Sequence, residues 1–381
     1  MNFTVSSSAI SSRFAAAAKV QVSKNLIPIL DFFLLEVKGD TLVITASDSE
    51  KYLTCTLPLI ASNGDARFCV AAKTIMEPLK ELPEQPLTFD LNTDTFSLKC
   101  SHSSGSFEIV AQDASPYPQP ADMTGEIHRL SFKASELANG VSRCLFATGN
   151  DEIRLVMTGV CLDIKPDELI FAGTDGRRLV RNTLKHKSND FTRGLVLPKK
   201  VCSVLKSVLA KDDNIPVELE FDDERARIVA GEMELRFTLI EGRYPNYNGV
   251  IPTGNPYEVT VDRQSFASAV KRVSAFSNQS SMLVRLELAD GNLHISGHDY
   301  DHSTSAEEHL CCDYHGSPIS IGFSGQYLLE IASMLETPSI KLELGDSSRP
   351  GIIRPVTDNE DKDELLMLIM PMRVEDNMGG M

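Results

Sequence analysis

The sequence predicts an α+β fold made of three tandem copies of one domain, because it combines a long internal repeat with alternating helical and strand-like segments. Asp48, Asp175 and Asp299 each follow a strand-like segment, at intervals of 127 and 124 residues. A similar spacing separates the prolines that end the three copies, which are Pro118, Pro245 and Pro371. Residues that recur at a constant spacing along a whole chain indicate a repeated structural unit. Such a repeat determines the architecture of the protein more strongly than any single residue.

Each copy is predicted to contain two helices and two antiparallel sheets. Helices are predicted where apolar residues recur three or four positions apart, and strands where they alternate. In the first copy the helices are Ser8–Val20 and Ala71–Leu82, and the strands are Phe32–Val37, Thr41–Ala46, Tyr52–Leu57, Leu87–Leu91, Phe96–Cys100 and Phe107–Ala111. The matching helices of the later copies are Ala134–Phe146, Lys199–Ala210, Arg263–Phe276 and Gly325–Leu335. The stretch Arg349–Asp363, before the last strand, is expected to form an exposed loop.

Two segments rich in proline, glycine and polar residues divide the copies, namely Gln119–His128 and Pro252–Tyr257. Segments of this composition typically link domains. We therefore expect one domain at residues 1–121, a second at 122–252 and a third at 253–381.

The composition is that of an ordinary globular protein, with 381 residues of which 42% are hydrophobic and 24% charged. No apolar run approaches the ~20 residues of a membrane span, and the first residues lack the layout of a secretion signal. The eight cysteines are scattered without a C-x-x-C pair, which favours buried thiols over disulfides or zinc ligands. We expect a cytoplasmic protein without a membrane partner.

Charge is distributed unevenly along the chain. The net charge is −16, which on its own argues against a nucleic-acid partner. The predicted helices with their end turns nevertheless carry thirteen basic and six acidic residues, and the sixth helix is the acidic exception. If the helices share one face, that face is positive while the rest of the surface repels polyanions. The alternative is that exposed helix faces simply favour lysine.

Four motifs carry a resemblance to a known family: LIPIL at Leu26–Leu30, GTDGRRL at Gly173–Leu179, EGRYPNY at Glu241–Tyr247 and MPMR at Met370–Arg373. In this order and spacing, the chain resembles the bacterial DNA polymerase III beta subunit family, the sliding clamps, from Met1 to Arg373. The resemblance implies three DNA-clamp domains per chain and a head-to-tail homodimer ring of six pseudo-repeated domains. Its helices would line a hole around double-stranded DNA, without sequence preference and without enzymatic activity or a cofactor.

The resemblance also implies surfaces for DNA and for the second subunit. The residues expected to face DNA are Arg13, Lys19, Lys24, Lys73, Arg143, Lys199, Lys200, Lys206, Lys271 and Arg272. Such side chains attract phosphates without reading bases, which permits sliding. Phe107 and Ile109 on a first-domain strand and Phe276 after the fifth helix are expected at the dimer interface. Alternatively, all three are ordinary core residues.

The partners implied by the resemblance are DNA polymerase III, the clamp loader subunits and other replication or repair proteins, which would bind through short linear peptides. The implied groove residues lie in the second and third domains: Met157, Thr174, Gly176, Arg177, Arg178, Leu179, Pro245, Val250, Ser324, Tyr327, Leu368, Ile369, Met370, Pro371, Met372 and Arg373. Methionines give an adaptable apolar surface suited to several ligands. The alternative is that Leu365–Met370 is merely a last core strand.

Motifs for catalysis are missing from the sequence. It contains no G-x-x-x-x-G-K-[ST] loop for ATP, no G-x-S-x-G elbow and no H-E-x-x-H pair. The segment from His298 to His302 is the nearest approach to a metal-binding cluster, and a solvent-exposed turn is the favoured interpretation. Two rival functions stay open at this point, an enzyme with an unrecognised site and a multi-domain adaptor without a DNA role.

Overall fold

The computed structural model describes residues 1–22, 25–185, 189–209, 215–357 and 363–374. Its helices are α1 (Ser7–Ala17), α2 (Ala72–Lys80), α3 (Ala134–Leu145), α4 (Lys199–Leu209), α5 (Arg263–Ser274) and α6 (Gly325–Met334). These are the six predicted helices, and each bound differs from the predicted one by at most three residues. The last residue predicted for the fourth helix, Ala210, lies outside the described residues.

The strands are numbered in chain order. They are β1 (Asn2–Ser6), β2 (Phe32–Lys38), β3 (Thr41–Ser47), β4 (Lys51–Pro58), β5 (Ala61–Ser62), β6 (Ala66–Ala71), β7 (Pro86–Asn92), β8 (Ser97–His102), β9 (Gly105–Asp113), β10 (His128–Lys133), β11 (Val160–Ile164), β12 (Glu168–Thr174), β13 (Arg178–Lys185), β14 (Arg193–Leu197), β15 (Pro216–Phe221), β16 (Arg225–Ala230), β17 (Met233–Thr238), β18 (Tyr257–Asp262), β19 (Leu283–Ala289), β20 (Asn292–Asp299), β21 (Thr304–Cys311), β22 (Ile319–Ser324), β23 (Ser339–Leu344), β24 (Gly351–Pro355) and β25 (Glu364–Ile369).

Short polar side chains fix the starts of several helices. The Ser6 hydroxyl accepts the N–H of Ala9 at the start of α1, and the Asp262 carboxylate accepts the N–H of Ser265 at the start of α5. These oxygens satisfy backbone donors that have no partner within the first turn of a helix. Helix α1 then buries Ile10 and Phe14, four residues apart, on one face. Capping and apolar spacing together explain why the helix bounds follow from the sequence.

The chain forms two compact units. The first unit consists of residues 1–139 and 200–241. It contains one antiparallel sheet in the strand order β10-β15-β16-β17-β4-β3-β2-β6-β9-β8-β7-β1-β5. Strands β4 and β17 are neighbours in this order, with Tyr52 opposite Arg236. Because β4 belongs to the first repeat and β17 to the second, this pairing joins two consecutive repeats.

The second unit consists of residues 140–199 and 242–381. One of its sheets has the strand order β14-β11-β12-β13-β25-β24-β23-β18, and the other has the order β21-β20-β19-β22. Here β13 of the second repeat pairs with β25 of the third, with Leu179 opposite Leu368. The strand pair β13–β25 is therefore the equivalent of the pair β4–β17 in the first unit.

The repeated aspartates perform one structural task. The Asp175 Oδ1 atom accepts the N–H groups of Arg177 at 2.8 Å and Arg178 at 3.0 Å, which closes the turn between β12 and β13. Asp48 and Asp299 close the corresponding turns of the other repeats with the same pair of bonds. Aspartate is favoured in such turns because its side chain bonds its own backbone two residues on.

One prediction about the third repeat is wrong. The stretch Arg349–Asp363 was expected to be an exposed loop, but it contains β24, which pairs with both β23 and β25. Ile352 and Ile353 are buried in this strand. Two consecutive buried side chains indicate a short strand that is covered on both faces.

The cysteines are free thiols, and six of the eight are buried. Burial raises the pKa of Cys55 to about 11 and that of Cys69 to about 12, because a thiolate is poorly solvated in the core. The prediction of buried thiols is confirmed at these positions. In the described part of the chain, no helix is long and apolar enough to cross a membrane.

Candidate functional site

The second unit has an open groove with a volume of about 440 Å³, at the end of strand β25. It is lined by Arg177, Gln279, Ser280, Ser281, Met282, Ser324, Gln326, Tyr327, Met370, Pro371 and Met372. Six of these residues were predicted from the sequence as groove residues, and they come from three separate parts of the chain. The fold therefore brings together in one surface the ends of β13, β22 and β25.

Backbone hydrogen bonds hold the two groove methionines in place. The N–H of Met370 donates to the carbonyl of Arg177 at 2.8 Å, and the N–H of Met372 donates to that of Gly322 at 2.8 Å. A Cβ on Gly322 would lie 3.0 Å from the Met372 oxygen and 2.6 Å from a Val374 methyl carbon. A glycine is therefore needed for the chain after β25 to lie this close to β22.

The turn before β13 forms another side of the site. The Thr174 hydroxyl donates to the carbonyl of Arg178 at 2.6 Å, and the Thr174 N–H donates to the Tyr244 hydroxyl at 3.1 Å. Gly176 has a φ of +88°, a conformation that suits glycine. Burial raises the pKa of Tyr244, so this tyrosine is a neutral hydrogen-bonding group.

Several predicted groove residues are buried in the core. Leu179 and Leu368 are buried together with Tyr247 in one apolar cluster. Ile369 and Met157 are also buried, with exposed fractions of 1% and 8%. These side chains belong to the core and not to the groove lining, and larger ones at these positions would disturb the packing.

Three other predicted groove residues, Pro245, Val250 and Arg373, are exposed to solvent. Pro245 and Val250 follow Tyr244, and the exposed fraction of Val250 is 54%. Arg373 is exposed next to Met372. Arg178 differs from its neighbour Arg177, because Arg178 is buried whereas Arg177 is exposed.

Sequence reasoning missed one wall of the groove, formed by Gln279–Met282, and the adjacent Gln326. The side-chain oxygen of Asn278 accepts the N–H groups of Ser280 at 3.0 Å and Ser281 at 3.3 Å. A polar Asn-Gln-Ser-Ser run before a strand is a signal for such a turn. The missing information was the pairing of β19 with β22, which places this turn beside Ser324.

The basic residues predicted to face DNA have different surroundings. Lys19, Lys73, Lys200, Lys206 and Lys271 are exposed on or next to helices. Of these, Lys200 has a long ion pair, 3.9 Å from the Asp48 carboxylate. The others have closer protein contacts, in the pairs Arg13 with Glu232, Arg143 with Asn182, Lys199 with Asn150 and Arg272 with Glu308. Lys24 lies outside the described residues. The exposed lysines are thus the better-placed part of the predicted DNA-facing set.

The three residues predicted for the subunit interface are partly accessible. Phe107 and Ile109 are half-buried on β9, and Phe276 is 46% exposed after α5. In the described structure, residues 105–110 of β9 pair with β8 on one side only, so their other side is an available edge. Strand β21 is likewise at the edge of its own sheet. Edge strands have backbone groups available for pairing with another chain.

The His298–His302 segment forms a turn. The Asp299 carboxylate accepts the N–H of His302 at 3.2 Å, and its other oxygen lies 3.0 Å from the His302 Nδ1 atom. This contact with the imidazole lowers the pKa of Asp299. Within the residues that the structure describes, no group of three or more ligating side chains could hold a metal ion.

The first unit has a cleft at the equivalent repeat junction, which we call the first cleft. Its volume is about 430 Å³. The N–H of Thr238 donates to the carbonyl of Glu50 at 3.3 Å, which corresponds to the bond between Met370 and Arg177. The first cleft is lined by Ser49, Glu50, Tyr52, Gln119, Pro120, Ala121, Asp122, Met123, Ile127, Glu220, Arg225, Ala226, Arg227, Arg236, Phe237 and Thr238.

Three repeated domains, sheets that join consecutive repeats and a groove at one junction define the class of multi-domain clamp proteins. Residues 1–121, 131–246 and 248–373 match the N-terminal, central and C-terminal domains of the DNA polymerase III beta subunit. The chain belongs to the DNA polymerase III beta subunit family. The resemblance seen in the four motifs is confirmed, and so is the predicted fold of three tandem clamp domains.

Relatives cover the chain over its whole length. The beta sliding clamp of Pseudomonas putida is 27% identical over 375 residues, which is 98% of this chain and 100% of that protein. The crystal structure of the DNA polymerase sliding clamp from Pseudomonas aeruginosa has a TM-score of 0.90 at 26% identity, over 98% of this chain and 100% of the other. The clamp from Bartonella birtlesii, solved with griselimycin bound, also has a TM-score of 0.90, with the same identity and coverage.

Proposed function

We propose that this protein is a DNA sliding clamp, a processivity factor that encircles duplex DNA and tethers the replicative polymerase. The observation that carries the proposal is the match of all three clamp domains, in order, to one chain that also has a preformed groove. The protein catalyses no reaction of its own in this role. It acts by keeping its partners near the template, which raises their effective concentration there. We infer that it acts in the cytoplasm, where free thiols persist.

Exposed lysines supply the proposed contact with DNA. Lys19, Lys200, Lys206 and Lys271 are accessible, while the whole chain has a net charge of −16. Point charges on long flexible side chains attract phosphates at any position along the duplex, so they give affinity without sequence preference. The acidic remainder of the surface repels DNA from other faces.

A head-to-tail dimer is the proposed way to close the ring. The available edge of β9 near Phe107 and Ile109 and the edge strand β21 provide two different surfaces. An interface between unlike surfaces produces a closed ring when its rotation returns to the start. Pairing these edges would also remove backbone groups that otherwise promote aggregation. Phe276 adds an accessible apolar side chain for such an interface.

The groove at Met370 is the proposed site for partner peptides. Met370 and Met372 present flexible thioether side chains beside the aromatic ring of Tyr327. An extended peptide with an apolar anchor residue fits a groove of this composition, and main-chain groups around Arg177 can fix its direction. Several partners can thus share one site.

The test is retention on circular DNA after loading by a clamp loader with ATP, before and after the circle is cut. We expect a dimer of about twice 41.9 kDa that stays on the circle and leaves on linearisation. Retention on linear DNA would show direct gripping instead of encirclement. A complete lack of retention, with the loader shown to be active on another clamp, would favour the adaptor without a DNA role.

A further inference from the structure

Helix α6 is the acidic exception among the helices predicted to face DNA, and its Glu330 has a specific contact. The Glu330 carboxylate forms an ion pair with the Nη1 atom of Arg178, which is the first residue of β13. Gln326, one turn earlier on α6, donates to the other Glu330 oxygen at 2.9 Å. An acidic residue in α6 therefore connects the third repeat to a strand of the second.

The guanidinium of Arg178 is held from several directions. Its Nε atom lies 3.1 Å from an Asp175 carboxylate oxygen, and its Nη2 atom donates to the Phe146 carbonyl at 2.7 Å. Because Glu330 accepts from Nη1, each of the three guanidinium nitrogens of Arg178 has an acceptor. A planar guanidinium with bonds at each nitrogen has a fixed orientation as well as a fixed position.

This orientation places the guanidinium against two aromatic rings. The Arg178 Cζ atom lies 4.4 Å from the centroid of the Tyr327 ring and 5.3 Å from that of Phe146. Arg178 itself is 9% exposed and does not line the groove, whereas Tyr327 does. Contacts between a cation and an aromatic face at this distance are attractive, and more so when water is excluded.

We propose that Glu330 is a positioning residue for the groove, which acts through Arg178 on the ring of Tyr327. The inference rests on the proposed peptide-binding function of the same groove. Glu330 keeps the guanidinium over the ring of Tyr327, so the ring is already in place when a ligand arrives. A preformed wall spares the ligand the entropic cost of ordering that side chain. Arg178 thus has a supporting role beneath the surface, and Arg177 is the arginine that a ligand meets.

The experiment measures the affinity of the full-length protein for griselimycin, the ligand bound in the solved clamp from Bartonella birtlesii. Glu330→Gln keeps the size of the side chain and removes its charge. We expect it to weaken binding about tenfold, the order of one lost charged hydrogen bond, chiefly through faster dissociation. Glu336→Gln is the matched control, because Glu336 is exposed just beyond α6, and its affinity should equal that of the wild type.

A second background separates positioning from a general structural effect. In a Tyr327→Leu protein, Glu330→Gln should change the affinity less than about twofold, because the ring through which Glu330 acts is gone. A loss that persists in this background, or wild-type affinity of the single variant, overturns the positioning role. Thermal unfolding confirms that each variant is folded. Failure of the wild type to bind griselimycin would reject the groove function itself, and the inference with it.

Discussion

The groove of the second unit and the first cleft of the first unit are built from the same elements. In both, a strand of one repeat pairs with the last strand of the next, and the backbone bond from Met370 to Arg177 has its equivalent in the bond from Thr238 to Glu50. Their volumes are similar, about 440 and 430 Å³. Size and backbone geometry therefore do not distinguish a binding site from its structural equivalent.

The difference lies in the side chains. Leu179 opposite Leu368 in the second unit corresponds to Tyr52 opposite Arg236 in the first. The Arg236 guanidinium lies 3.6 Å from the carboxylate of Asp122, and both residues line the first cleft. An apolar anchor would have to displace paired charges from the first cleft, whereas in the groove it meets methionine and tyrosine. The side chains of the groove therefore suit the proposed binding function, and those of the first cleft do not.

The largest effect is expected from removing the two groove methionines. Met370→Ala with Met372→Ala should weaken griselimycin binding at least about hundredfold, since each hot-spot side chain contributes about 2 kcal/mol or more. Isothermal titration measures this loss, and the mass in solution should stay that of the wild type. Thr238→Ala, at the position equivalent to Met370, is the control and should leave the affinity unchanged. Normal binding by the double variant would place the site elsewhere.

A smaller effect is expected from Gly322→Ala. The new methyl group would crowd the Met372 carbonyl and the side chains of Leu283 and Val374, so the segment after β25 must move. Overpacking of this kind costs roughly 1–3 kcal/mol, and we expect a lower unfolding temperature together with weaker ligand binding. Gly194→Ala is the matched control, because nothing lies within 4 Å of its added carbon. Equal behaviour of the two variants would show that close packing at Gly322 is unimportant.

The smallest effect is expected from a charge in the first cleft. The hydrogen bond from Arg129, with another from Arg227, lowers the pKa of Glu220. A lowered pKa stabilises the folded protein above the ordinary carboxyl pKa of about 4.3, and this stabilisation is lost as the pH falls through the lowered value. Glu220→Gln should therefore reduce the free energy of unfolding by less than about 1 kcal/mol at pH 7, and less still in acid.

Urea unfolding at pH 7 and in acid checks this dependence. Glu218→Gln is the control, since Glu218 is an exposed residue of the same strand β15. Griselimycin affinity should be the same in both variants, because the proposed binding site is the groove of the second unit. A Glu220→Gln protein that loses the same stability at every pH would contradict the electrostatic account of the first cleft.

The positions of the helices could be predicted from the sequence, because capping residues and apolar spacing are local signals. Ser6 and Asp262 mark the starts of α1 and α5 within a few residues of the predicted bounds. Strand β24 was missed because it is short and its apolar pair, Ile352 and Ile353, lies between a glycine and an arginine. Its burial depends on β23 and β25, which are distant from its own local pattern.

For the candidate site, the sequence indicated several of the residues that lie together. It did not indicate which of them line the groove and which are buried. The MPMR motif located Met370 and Met372, and the structure places both on the groove surface. Leu179 and Leu368 support the groove from the core, and Arg178 lies beneath Tyr327, because burial depends on neighbours from other repeats. Those long-range contacts are not encoded in any local pattern.

The most direct test of the central claim is a crystal structure of this protein with griselimycin. The account predicts ligand density against Met370, Met372 and Tyr327 in the groove, and a first cleft without ligand in the same molecule. Density in the first cleft near Tyr52 and Arg236, with or without occupation of the groove, would contradict the claim that side-chain chemistry restricts binding to one repeat junction.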